Sequence, residues 1–150
     1  MSLFDSFAIS ASGLAVQRER MEVTSENLAN VNSTRTPEGG PYQKKDVVVT
    51  SVPLSFEAGL EAAMGDLGGG RGAIQGARVA GVVKTNHPPK MIFDPAHPDA
   101  NQEGYVAMPD INVTQELVDV LTATRTYEAN LSVLNASKSM VLRTLELGAA

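Results

Sequence analysis

Residues 113–147 read VTQELVDVLTATRTYEANLSVLNASKSMVLRTLEL. Val113, Val120, Tyr127, Leu134 and Val141 recur every seven positions, and Leu117, Thr124, Leu131, Lys138 and Leu145 recur beside them. Two such rows in one heptad form the seam of a coiled-coil-like helix. Asn112 or Thr114 can cap its start, because a side-chain oxygen there satisfies an orphan N–H, and Gly148 offers a left-handed stop. The stretch predicts one helix of ~34 residues, ~50 Å long at 1.5 Å per residue. Helices of ordinary globular domains usually run only about 8–20 residues.

The N-terminus carries a weaker version of the pattern. Phe7, Leu14, Met21 and Leu28 repeat at heptad spacing, whereas the companion positions Phe4, Ala11, Arg18 and Ser25 are mixed. A helix from about Ser6 to Asn30 would be ~37 Å long. Its Ala8–Ala15 stretch is mostly small residues, and Gly13 costs ~1 kcal/mol of helix stability relative to Ala. It ends in ENLANVNST (residues 26–34), where three asparagines fall within six positions. Asn30 reads as the helix stop. Asn130 of the second helix reads as an amide that fixes register between neighbouring helices, and Asn27 and Asn32 read as amides awaiting neighbours that are absent from this chain.

Between the ends the chain is punctuated by Gly and Pro. Lys44–Thr50 and Ala77–Lys84 are rich in valine and predict strands, and Pro37–Tyr42 predicts a turn ahead of the first. Residues 55–64 suggest a short helical or loop excursion, Asp66–Gly72 a glycine-rich linker, and 85–109 an extended return. The expected fold is mainly α with a β-rich middle: long N- and C-terminal helices packed as a coiled-coil-like pair, joined by an extended β-hairpin and loop segment. Its divisions are residues 1–36, 37–109 and 110–150.

Composition removes several functions. A net charge of −5, with no basic cluster beyond Lys44-Lys45, argues against nucleic acid, which needs a positive face for its phosphates. Cysteine is absent, so neither a disulfide framework nor thiol catalysis is expected. No apolar run approaches the ~20 residues of a membrane helix, and no cleaved secretory signal is expected.

Chemistry is equally thin. His87 and His97 lie ten residues apart in a proline-fixed stretch near Asp94 and Asp99, without a third nitrogen or sulfur ligand, so no metal and no cofactor are expected. The Gly68–Gly72 run lacks the strand before it and helix after it that a dinucleotide loop requires. No serine sits in a nucleophile elbow, and no nucleophile, base and oxyanion donor assemble.

Several linked stretches share one resemblance. They are Asn27-Leu28-Ala29-Asn30, then Pro37-x-Gly39-Gly40-Pro41-Tyr42, and Asp94-Pro95-x-His97-Pro98-x-Ala100. Gly104-Tyr105-Val106-x-Met108-Pro109-x-Ile111-Asn112-Val113 and Arg125-x-Tyr127-Glu128-Ala129-Asn130 follow in order. Together they resemble the bacterial flagellar rod, hook and hook-associated proteins, and among these a proximal-rod subunit, with about residues 54–76 unmatched. The family's Ala-Asn-x-x-Thr element falls on Ala29 and Asn30, with its Thr one position late, at Thr34.

The resemblance implies a non-catalytic structural protein whose terminal helices line the inner tube of a helical, axial assembly. It also implies passage through the flagellar type III export apparatus without a cleaved signal, to the periplasm-spanning rod. Implied partners are copies of itself, other rod subunits and basal-body ring or adaptor proteins, with no direct membrane insertion. The expected contact residues are Phe7, Leu14, Met21, Asn27, Leu28, Asn30, Asn32, Val120, Tyr127, Asn130, Leu131, Leu134, Val141 and Leu145. The residues leave two competitors. A cytosolic helical adaptor or export chaperone would share the amphipathic ends, and a small metal-dependent hydrolase would use His87, His97, Asp94 and Asp99.

Overall fold

The computed structural model describes residues 3–54 and 75–148, with side chains from Asp5 onward. The expected excursion at 55–64 and the glycine run at 68–72 lie outside the described residues. Helix α1 spans Leu3–Ala29 and helix α2 spans Val113–Gly148. Between them lie strands β1 (Lys45–Pro53), β2 (Gln75–Lys84), β3 (Lys90–Phe93) and β4 (Tyr105–Met108). Strand β1 pairs with β2 and β3 with β4, in two separate two-stranded antiparallel sheets. The expected class holds: terminal helices packed together around a β-rich middle.

Local chemistry explains the boundaries. Asn30 ends α1: its backbone N–H and its Nδ2 both donate to the carbonyl of Glu26 (3.1 and 2.9 Å), and Ser33 Oγ donates to Asn30 Oδ1 (3.0 Å). Of the two proposed caps of α2, Asn112 is used. Its Oδ1 accepts from the N–H groups of Thr114 (3.0 Å) and Gln115 (3.3 Å). Gly148 is not a left-handed stop. It is the last helical residue, and among the described residues the glycines with positive φ are Gly39, Gly40 and Gly104.

The β3–β4 hairpin was not expected as strands. Lys90 pairs with Met108 and Phe93 with Tyr105, whose rings meet edge-on at 5.3 Å. Its long loop is tied by short-range polar bonds that alternation patterns do not register. Asn101 Oδ1 accepts from the N–H groups of Glu103 (3.0 Å) and Tyr105 (2.8 Å), and Asp94 Oδ1 accepts from Ala96 N–H (3.2 Å).

The chain forms two compact units. One comprises Met1–Glu19, Val49–Ala80 and Ala123–Ala150; the other comprises Arg20–Val48 and Gly81–Thr122. In the first, α1 approaches α2 where Gly13 meets Asn130: a Cβ added to Gly13 would stand 2.9 Å from Asn130 Nδ2. Ser12 Oγ also accepts from the Ala77 N–H of β2 (3.2 Å). In the second, α1 meets α2 where Asn27 donates to Glu116.

Among the described residues the buried side chains are strongly polar: Val16, Val23, Tyr42, Val106 and Ala123 are accompanied by Ser10, Asn27, Glu116 and Ser137. Such an interior removes little apolar surface from water. Leu117, Leu121, Leu131, Leu142, Leu145 and Leu147 of α2 are exposed instead.

Candidate functional site

The expected seam is displaced by one residue in both helices. Leu117, Leu131 and Leu145 of the expected seam are 47, 41 and 65% exposed in the single chain. The inward row is Glu116, Ala123, Asn130 and Ser137, alongside Val120, Tyr127, Leu134 and Val141, which are half-buried. In α1, Gly13 faces Asn130 of α2 and Asn27 donates to Glu116. Phe7, Leu14, Met21 and Leu28 are half-buried, about 100° around the helix from Gly13 and Asn27. The companion positions Ala11, Arg18 and Ser25 are exposed; the buried apolar residues of α1 are Val16 and Val23.

Four of the inward residues immediately precede a leucine: Gly13-Leu14, Asn27-Leu28, Glu116-Leu117 and Asn130-Leu131. Gly13 and Asn27 are 14 residues apart (27 − 13), and Glu116 and Asn130 are 14 apart (130 − 116). Fourteen residues are two heptads, so the coiled-coil-like repeat survives with small and polar groups in place of leucine.

Asn27 is 1% exposed, and every hydrogen-bonding position of its amide is occupied. Its Oδ1 accepts from the Lys45 N–H (2.9 Å) and the Tyr42 hydroxyl (3.0 Å). Its Nδ2 donates to the Lys45 carbonyl (2.8 Å) and Glu116 Oε2 (3.2 Å). The expectation that this amide awaits a neighbouring chain fails here, because its partners all lie within the chain. Asn30 is likewise engaged as the helix stop, and Asn32 is exposed.

Glu116 is 2% exposed, and its other oxygen meets the Lys44 ammonium at 2.8 Å. A buried carboxylate needs such a counter-charge, since desolvating an unpaired ion costs several kcal/mol. The adjacent Lys45 pairs with Glu26 of α1. Successive side chains of an extended segment point to opposite sides, so the Lys44-Lys45 dipeptide reaches both helices. Hydrogen bonding to Glu116 holds the Lys44 ammonium above its ordinary range. Burial, then the nearby charges of Glu26 and Glu116, push the Tyr42 phenol up to about 12.

The asparagine-rich tail of α1 is tied down as well. Thr34 Oγ1 donates to Asp99 Oδ2 (2.8 Å), and Arg35 meets Asp99 Oδ1 at 3.2 Å. His87 lies 3.5 Å from Asp110, and His97 Nδ1 accepts from the Asp99 N–H (3.1 Å). No group of three or more His, Cys, Asp or Glu able to hold a metal occurs among the described residues.

Outside the polar seam α2 exposes many apolar side chains. Val113, Leu117, Val118, Leu121, Leu131, Val133, Met140, Leu142, Leu145 and Leu147 are 41–81% exposed. Sequence reading missed Glu116, Ala123, Ser137, Lys44 and Tyr42. The signal for Glu116, Ala123 and Ser137 was a second heptad row of small and polar residues beside the leucines.

Comparison with known proteins places the same segments in one family. Residues 7–35 match the model described as flagella basal body rod protein, and residues 102–147 match flagellar basal body rod FlgEFG protein C-terminal. The chain is similar to flagellar basal-body rod proteins named FlgC. It is 41% identical to that of Borreliella burgdorferi, over 93% of both chains. It is 40% identical to those of Bacillus subtilis and Salmonella typhimurium, over 99% of each chain. These relatives favour neither the adaptor nor the hydrolase reading.

Proposed function

The chain belongs to the FlgC family of flagellar basal-body rod proteins, and from that premise we propose that it builds the proximal rod by helical assembly through α1 and α2. It is a structural subunit of the flagellar basal body. The observation that carries the finer reading is the outward leucine face of α2, with Leu121, Leu142, Leu145 and Leu147 more than half exposed. A face of that size needs covering, and repeated heterologous contacts that do not close into a ring generate a filament. Among the expected contact residues, Leu131, Leu145 and Asn32 are exposed in the single chain, and they are assigned to contacts between chains. The half-buried Phe7, Leu14, Met21 and Leu28 serve contacts both within and between chains.

The partners in this reading are further copies, other rod subunits, ring or adaptor proteins of the basal body, and the flagellar type III export apparatus. A sparsely apolar interior suits a chain that is threaded before it folds, because little stability must be lost for it to unfold. The rod is placed in the periplasm-spanning part of the basal body, reached without a cleaved signal. No helix among the described residues is long and apolar enough to cross a membrane. No catalytic activity and no nucleic-acid partner are assigned.

Deleting the gene and imaging the cell envelope tests the role; intact, motile flagella in the deletion strain would sink it. Leu121→Asp with Leu142→Asp tests the face. The purified variant should keep the helicity of the native chain, and complementation of the deletion should yield no rods.

A further inference from the structure

The α2 sequence offers two competing seams that share Val120, Tyr127, Leu134 and Val141. One adds Leu117, Leu131 and Leu145; the other adds Glu116, Ala123, Asn130 and Ser137. The added rows lie about 100° apart around the helix, so with the shared row kept the two seams differ by a rotation of about 50°. By apolar burial the leucine seam should win. In the unit formed by Arg20–Val48 and Gly81–Thr122 it does not: Glu116 is 2% exposed and Leu117 is 47% exposed.

We propose that Asn27, Lys44 and Glu116 form a polar latch that selects which face of α2 turns inward. The three come from α1, the segment before β1, and the first turns of α2. Their mutual bonds are Asn27 Nδ2 to Glu116 Oε2 (3.2 Å) and Lys44 Nζ to Glu116 Oε1 (2.8 Å). Turning Leu117 inward would carry Glu116 away from both partners. Asn27, enclosed between the helix and the Lys45 backbone, would then hold a buried N–H with no acceptor. The Asn27–Glu116 hydrogen bond is directional and the Lys44 ion pair neutralises the buried carboxylate, so the polar set holds a rotation that apolar burial by itself would not choose. The latch thereby fixes which residues of α2 the chain presents to its surroundings. It acts in the free chain and does not rest on the rod reading.

Lys44→Met removes the counter-charge without touching either helix, and Lys44→Arg is its conservative control. Carboxyl labelling with a carbodiimide and an amine, read by mass spectrometry, reports Glu116. Hydroxyl-radical footprinting on the same full-length proteins reports Leu117. In the wild type and Lys44→Arg, Glu116 should label at least tenfold more slowly than exposed Asp119, while Leu117 is readily oxidised. In Lys44→Met, Glu116 labelling should rise at least tenfold while Leu117 oxidation falls severalfold. Three results overturn the proposal. They are rapid Glu116 labelling in the wild type, a Glu116 that stays protected in Lys44→Met, and a variant in which Glu116 and Leu117 both become reactive. The last would make the triad a general fold contact instead of a face selector.

Discussion

The two units bring α1 against α2 by different means. In the unit holding Gly13 and Asn130, closeness is steric: a glycine leaves room for an amide, and Gly76 lets β2 approach Ser12 and Leu54. In the unit holding Asn27 and Glu116, closeness is polar: one amide makes four hydrogen bonds, and a buried carboxylate finds an ammonium. Steric fit tolerates small adjustments, because a side-chain end can move a few tenths of an ångström. Polar satisfaction does not, because a displaced partner leaves a buried group unpaired. The polar end therefore specifies the arrangement, and the small-residue end permits it.

The sharpest way to break this contrast is Asn27→Ala. It strands the Tyr42 hydroxyl, the Lys45 N–H and C=O, and one oxygen of Glu116, and should cost about 3 kcal/mol or more, read from urea unfolding. A loss below ~1 kcal/mol would mean that water replaces the amide without penalty. At the steric end, Gly13→Leu drives a large side chain into Asn130 and should cost about 2 kcal/mol. Gly13→Ala should stay within about 1 kcal/mol of the parent, since the helix propensity gained by alanine offsets the push against Asn130 Nδ2. Equal losses for Leu and Ala would show that the approach has no slack at all.

Alkaline pH should loosen the polar end selectively. Lys44 and Tyr42 both hold their protons more tightly folded than unfolded, so above the ordinary values of 10.5 and 10.0 the folded chain binds more protons. Their stabilising contribution is therefore complete below pH ~10 and is lost as pH rises toward about 12. Hydrogen exchange near that end would be masked by base catalysis, so absorbance of tyrosinate against urea midpoint is the better measure. An unchanged midpoint between pH 9 and 11 contradicts the sign. The smallest effect is Asn112→Ala, which removes the cap of α2 and should cost about 1 kcal/mol, seen as a lower thermal midpoint. Because the cap serves the polar end, a comparable loss of protection around Asn130 would argue that the two ends unfold together.

Much of the architecture was legible from local chemistry. Heptad recurrence gave both helices, Asn30 and Asn112 gave their ends, and valine-rich runs gave β1 and β2 near their observed positions. The β3–β4 hairpin escaped because its proline-rich surroundings read as extended chain, while its loop is organised by Asp94 and Asn101. The inward face was legible only in part. Val120, Tyr127, Leu134 and Val141 are half-buried on the heptad row that the sequence marks. The leucine row is exposed in the single chain and Asn27 is satisfied within it, because apolarity alone does not decide which of two neighbouring residues turns inward.

Taken alone, the sequence determined that two long helices bracket a strand-forming middle, because period and caps are local properties of the chain. Only the tertiary structure decided which face of each helix is inside. The competing rows differ by a single residue, and the choice rests on Lys44, Tyr42 and Lys45, which reach Asn27 and Glu116 from elsewhere in the chain. Asn27 entered the reading as an amide seeking a partner. Its partners proved to be a strand backbone, a phenol and a carboxylate 89 residues away, a pairing no local pattern encodes.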